Sequence, residues 1–289
     1  DRMDILANFS NTGTVNVTAG LLQIGDASGS GTDTGTYTVA SGSVLEFQNG
    51  AQALSGATFN GAGSVDFVSG TQTLSGTTTF DIATTTFANL TVSSGVVNFN
   101  TTTSIVDLDL GGTGTIQGSG NVSVSNTFDF SAGTLSGVGT FATMSTATTT
   151  LTGTNPMILS GKTWNNFGTV NWTGTSGGLF TFAGTTPIFN NLTGATFDHQ
   201  GTSGSQDFSG TGTFNNNLNA TFTHSSSTTG HAINSGVVFK NDGQVNVTAG
   251  GLDISSGASD TGDYAVSSGA ILSFTGGTRT LNGVSITGA

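Results

Sequence analysis

The sequence predicts an all-β fold, a parallel β-helix (β-solenoid) of about twelve coils with roughly 18–27 residues per coil, continuous over 1–289. Three observations predict it. Aromatic-plus-asparagine triplets recur every 25 residues, a Leu-Ser-Gly unit returns along the whole chain, and the segments between them alternate apolar and polar residues.

The 25-residue period is carried by Trp164-Asn165-Asn166, Phe189-Asn190-Asn191, Phe214-Asn215-Asn216 and Phe239-Lys240-Asn241. Like residues on successive coils lie about 4.8 Å apart, so the aromatics fill an interior and Asn166, Asn191, Asn216 and Asn241 form an amide ladder. The same period places Trp172, Phe197, Phe222 and Val247 in one column and Val170, Ala195, Ala220 and Val245 in another. The second signature reads Leu54-Ser55-Gly56, Leu74-Ser75-Gly76, Leu135-Ser136-Gly137, Leu159-Ser160-Gly161 and Leu281-Asn282-Gly283, each followed by an apolar or aromatic residue. Looser copies begin at Val92, Ile116, Phe182, Phe208, Ile233 and Ile254. Segments such as Gly13-Thr14-Val15-Asn16-Val17 and Ser64-Val65-Asp66-Phe67 have the alternation of half-buried strands. Each coil is therefore read as two or three short strands joined by Gly/Ser/Asn turns, and the stack as a rod on the order of 60 Å long.

A longer repeat overlies the coils, with 9–62 matching 239–289. Phe9 to Gly20 align with Phe239 to Gly250 at an offset of 230, and Tyr37 to Gly42 align with Tyr264 to Gly269 at 227. Open solenoid ends expose backbone and apolar edges that invite further pairing. Two readings follow, a stretch of a longer repeat array or a subunit that self-associates end to end, with an unrecognised cap as a third.

Composition narrows function. Only 7% of residues are charged, and Arg2, Lys162, Lys240 and Arg279 are the only Lys and Arg, against a net charge of −12. That balance disfavours nucleic acid and anionic membranes as partners. No apolar run approaches the roughly 18 residues of a spanning helix, so direct membrane insertion is not expected. No signal peptide is recognisable, and Asp1 reads as a mature or excised start. Cysteine is absent, as suits a fold held by stacked strands. Asn-x-Ser/Thr sites at Asn8, Asn16, Asn89, Asn100, Asn121, Asn171, Asn191, Asn219 and Asn246 are what an Asn/Ser/Thr-rich composition generates by chance.

Candidate chemistry is sparse. Asp107 and Asp109, on one face of Val106-Asp107-Leu108-Asp109-Leu110, have a spacing that glycosidase carboxylates use, but the alternation equally describes a solvated strand face. His199 and His224 stand 25 residues apart with His231 near in sequence. The expectation is a surface pair, because a specific metal site wants three or four ligands and the column adds only Asp198. Asp26 and Asp33, with Asp253, Asp260 and Asp263, sit in glycine-rich loops whose oxygens suit calcium, though no calcium-binding nonapeptide or EF-hand is present and solvated turns explain them. Threonine runs at 77–79, 84–86, 101–103 and 148–150 lack the constant spacing of an ice-binding face and follow from strand propensity. No Ser-His-Asp order, phosphate loop or zinc motif appears, so neither catalysis nor an obligate cofactor is expected.

The Gly-Thr-Val-Asn-Val-Thr and Leu-Ser-Gly units resemble those of bacterial β-strand-repeat surface proteins, including filamentous-haemagglutinin-like adhesins and autotransporter passenger domains. The resemblance implies a secreted or cell-surface, non-enzymatic protein of a filament, adhesin stalk or biofilm matrix, with glycans or host surfaces as partners. The alternative is a polysaccharide-binding or polysaccharide-cleaving β-helix, against which the scarcity of Lys and Arg weighs.

Overall fold

The computed structural model describes residues 1–25, 32–48, 53–75, 77–153, 155–175, 178–202, 206–227 and 230–288. It is all-β, with parallel strands stacked as a β-solenoid of about twelve turns. Two compact units make up the chain, one of 1–125 with 136–140, the other of 126–135 with 141–289.

In the first unit the core is built of rings. Tyr37, Phe59 and Phe80 lie in register and stack with centroids 4.9 and 4.7 Å apart. Beside them Phe47, Phe67 and Phe87 stack at 4.7 and 4.6 Å. The two columns meet edge to face, for instance Phe47 on Phe59 at 6.2 Å and 79°. Offset stacking within a column and edge contacts between columns are both favoured by the ring quadrupole, each pair adding about 0.5–1.5 kcal/mol beyond burial. The Leu-Ser-Gly unit ends a strand: Leu54 and Leu135 are buried, and Gly56 and Gly137 turn the chain at φ 86° and 91°. A Cβ at Gly137 would run into the Gly118 backbone of the coil below, so only glycine serves there. Gly76 of the Leu74 copy lies outside the described residues.

In the second unit Trp164, Phe189, Phe214 and Phe239 are register partners and all buried. Two residues on, the asparagine side chains bond in series: Asn166 Nδ2 donates to Asn191 Oδ1 (2.9 Å), Asn191 to Asn216 (3.0 Å) and Asn216 to Asn241 (2.8 Å). Thr143 caps the series, its hydroxyl donating to Asn166 Oδ1 at 2.9 Å. Asn191 is enclosed in this ladder, so it is not a glycosylation acceptor in the folded chain. An outer ladder runs beside it, Asn215 Nδ2 to Asn190 and Asn190 Nδ2 to Asn165, at 2.9 and 2.8 Å.

Of the columns expected from the 25-residue period alone, Phe197 and Phe222 are register partners as expected, and the steps on either side are corrected. Trp172 pairs with His199, not Phe197, and Val170 pairs with Phe197. One coil on, Phe222 pairs with Val245, and His224 with Val247. Between ladder Asn and next strand, the turns after Asn191 and Asn216 are two residues longer than those after Asn166 and Asn241. A shift of two keeps every side chain on its face while changing its stacking partner. Ala195 and Ala220 close those longer turns instead of standing in a column with valine, their N–H groups donating to Leu192 and Asn217.

Lys162 is 1% exposed in the wall of this unit, and burial pulls its pKa down to about 8. A folded value below that of the unfolded chain means the unfolded state holds more protons between them, so stability rises with pH from about 8. The gain stops near pH 10, where Tyr37 and Tyr264, held protonated by burial, begin to favour the folded form less. Urea denaturation at pH 7.5 and 9.5 should show greater stability at the higher value, and Lys162→Met should be more stable at pH 7.5 with this slope removed. For the ladder, Asn191→Ala strands polar groups on both neighbours and should cost about 2–4 kcal/mol. Asn190→Ala, in the half-buried outer ladder, should cost under about 1 kcal/mol by the same measurement.

Candidate functional site

The strands Thr196–His199 and Thr221–His224 each read Thr, aromatic, polar, His, and their burial alternates. Phe197 and Phe222 point inward, so a period of two sends His199 and His224 inward as well. The expected surface pair is thereby corrected: both are buried. His231, first residue of the strand His231–Ile233, enters the same interior from the next side of the coil. The signal was present in the sequence as strand alternation, but His231 could not be placed from spacing because it lies on a different wall.

One ligand atom from each of the three imidazoles lies within 4.8 Å of the others. His199 stacks on His231 with centroids 4.4 Å apart, and His224 meets both edge-on at 5.1 and 5.3 Å. Trp172 floors the group, its ring 4.5 Å from His199 at 24°, and Phe208 flanks it at 6.1 Å. Burial, reinforced by His231 and then His224, holds the His199 pKa well below its ordinary value. Burial, with His231, brings His224 down to about 4. These two rings are neutral at pH 7, and none of their four nitrogens finds a protein hydrogen-bond partner. A buried polar atom left so costs about 1–3 kcal/mol, which makes the cluster an expensive way to fill a core. Asp198 is no part of it, facing outward and accepting from Gln200 Nε2 (2.8 Å) and Ser225 Oγ (2.7 Å).

The five aspartates of the glycine-rich loops are dispersed among different settings. Asp26 lies outside the described residues. Asp253 is half-buried on the strand Gly251–Ile254, and Asp263 is exposed, accepting from Ser285 N at 2.8 Å. Asp33 and Asp260 are corrected from solvated turns to fully buried groups. Asp260 accepts from Asn241 N (3.0 Å) and Tyr264 Oη (2.7 Å) and forms an ion pair with Arg279. Arg279 also donates to the carbonyls of Phe239 (3.0 Å) and Ser256 (3.2 Å). At the equivalent place in the long repeat, Asp33 accepts from Asn11 N at 2.6 Å. Tyr37 is near enough for that carboxylate to raise its pKa, but lacks the aligned bond of Tyr264. The position matching Arg279 is Gln52 in the sequence, and burial raises the Asp33 pKa. Among the described residues, the histidine trio is the only group of three or more His, Asp or Glu arranged to hold a metal ion.

Asp107 is half-buried and Asp109 exposed, and Val106, expected inward, faces solvent because the in-out alternation slips by one residue between Ile105 and Leu108 of the strand Thr103–Leu110. The threonine runs alternate in and out, with Thr78, Thr85, Thr103 and Thr149 buried, so they build no flat hydroxyl face. A shallow groove of about 380 Å³ follows the turns at Leu218, Asp242, Gln244 and Asp263, without an aromatic or basic lining residue.

Compared with known proteins, the chain matches no family model, no curated protein and no solved structure. The functional reading therefore rests on its own geometry.

The two carboxylate boxes make a paired test. Asp260→Asn leaves Arg279 without its counter-charge and should cost about 3–5 kcal/mol in chemical denaturation. Asp33→Asn removes an ionisable group that burial disfavours and should be neutral or stabilising at pH 7.

Proposed function

We propose that this chain is a structural, non-enzymatic solenoid of an extracellular filament, adhesin stalk or biofilm matrix, and that its open edge takes a further coil of the same repeat. The observation that carries this is a comparison the long repeat makes within one molecule. In the first unit Phe47 (1% exposed), Leu54 (0%) and Phe59 (0%) are buried, with Phe67 and Phe80 of the next coil covering the two rings and the backbone at 74 in register with Leu54. Their counterparts 227 residues on, Phe274, Leu281 and Ile286, are 39%, 41% and 51% exposed. The same coil is thus present covered and uncovered, and the covering coil of the first unit defines the chemistry of what fits: an in-register parallel strand with an inward aromatic or branched aliphatic residue.

The opposite edge of the repeat behaves alike. Phe239 and Val245 are buried under Phe214 and Phe222, whereas Phe9 and Val15, their counterparts, are only half-buried. Each of these coils thus presents apolar residues that its counterpart elsewhere in the chain buries, and the partner that fits them is a coil of the same repeat, whether from the same polypeptide or from another copy. The paucity of charge supports the reading, since there is little like-charge repulsion at the edge to prevent strand pairing. An extracellular setting is supported by the resemblance to bacterial surface repeats. The turn groove supplies no comparable support for a polysaccharide enzyme or lectin.

Sedimentation velocity and electron microscopy across concentration should show self-association, with Phe274→Asp and Ile286→Asp shifting the protein to monomer. Appending the sequence of 63–92 after Ala289 should raise Tm and suppress association. Monomers at every concentration together with an unchanged Tm in the extended protein would overturn the proposal.

A further inference from the structure

The three imidazoles form a group that packing alone does not explain. The aromatic column from Trp164 to Phe239 and the asparagine ladder beside it hold residues whose contacts satisfy them, rings on rings and amides bonded in series. His199, His224 and His231 are instead gathered at one corner with four ring nitrogens of His199 and His224 directed at no protein partner. Unsatisfied buried polar atoms are rare enough in folded proteins that each calls for a cause. Here several occur in one place, on the side chain that most often ligates transition metals.

We infer that His199, His224 and His231 form an interior binding site for one divalent transition-metal ion of the zinc class. The donor set decides the class. Three imidazole donors suit zinc, cobalt, nickel or copper, whereas calcium and magnesium require oxygen donors that the cluster does not contain. Metal–imidazole bonds of about 2.0–2.1 Å in a tetrahedral arrangement set the donor atoms roughly 3.3 Å apart. The present separations, within 4.8 Å, leave at most about 1.5 Å to close, a distance on the scale of side-chain torsional adjustment. Three protein ligands leave a fourth position for water or a small anion.

The ion would link what the backbone does not. His199 and His224 are already neighbours in the parallel ladder, but His231 begins a strand on another wall, paired to Leu252 of the following coil. A shared metal would clamp two walls and two successive coils together at the corner. Trp172 below and Val247 above close the column, so the ion would be held within the core and exchange slowly. The role is a structural clamp, independent of the open edge on which the proposed function rests.

The test uses tag-free full chain, expressed in zinc- or cobalt-supplemented medium and, separately, refolded from urea with each ion. Elemental analysis after gel filtration should find one metal per chain. The cobalt form should show the visible absorption of a four-coordinate ion, and zinc-edge X-ray absorption should show three imidazole nitrogens at about 2.0 Å. The Tm should rise with zinc and fall back when a chelator is added during refolding. His224→Leu and His231→Leu, checked for fold by circular dichroism, should lose the bound metal. Absence of metal from the wild type by both routes, or equal retention in the two variants, would overturn the inference, and the X-ray absorption result stands whether or not the variants fold.

Discussion

Parallel, in-register stacking is the constraint on which this structure depends. Each inward side chain sits on the side chain of the next coil at about the spacing of β-strands, so an interior residue must tolerate a near neighbour in the same orientation. Phenylalanine tolerates it by offset stacking, as Phe47, Phe67 and Phe87 do. Asparagine does so by donating to one copy and accepting from another, as Asn191 does between Asn166 and Asn216. A charge cannot, because like charges in a dry column repel. The two buried aspartates are accordingly stacked on leucine, Asp33 on Leu54 and Asp260 on Leu281.

Turns then act as the adjustable part. A strand holds its register by hydrogen bonds, while a turn absorbs two residues and hands the next strand to a different partner on the same face. This is how a chain with an unbroken 25-residue period in one wall has offsets of 27, 25 and 23 in the adjacent wall, from Val170 to Phe197, Phe222 and Val245. The lengthened coil between Trp172 and His199 also sets His199 directly on Trp172, and so places the first histidine where the other two converge.

The long repeat shows how little a solenoid coil depends on distant sequence. Asn11 and Asn241 make the same bonds, each donating its N–H to the following buried aspartate and accepting at Oδ1 from a glycine two residues on. The coils diverge where their surroundings do: Arg279 neutralises Asp260, whereas Asp33 has a glutamine at the equivalent position in the sequence. The same coil is closed in one place and open in the other, so the coil sequence encodes the contact and the neighbour determines whether it is made.

The sequence by itself determined the all-β solenoid, the aromatic and asparagine walls from Trp164 to Asn241, and the long repeat, because period and alternation are local properties that survive without knowing any partner. Alternation also carried the inward direction of His199 and His224. Stacking partners across walls, the enclosure of Asp33 and Asp260, and the approach of His231 to the other two histidines were decided only in three dimensions. Each depends on turn lengths summed around a coil, and a change of two residues in one turn alters which side chains meet while leaving every local pattern intact.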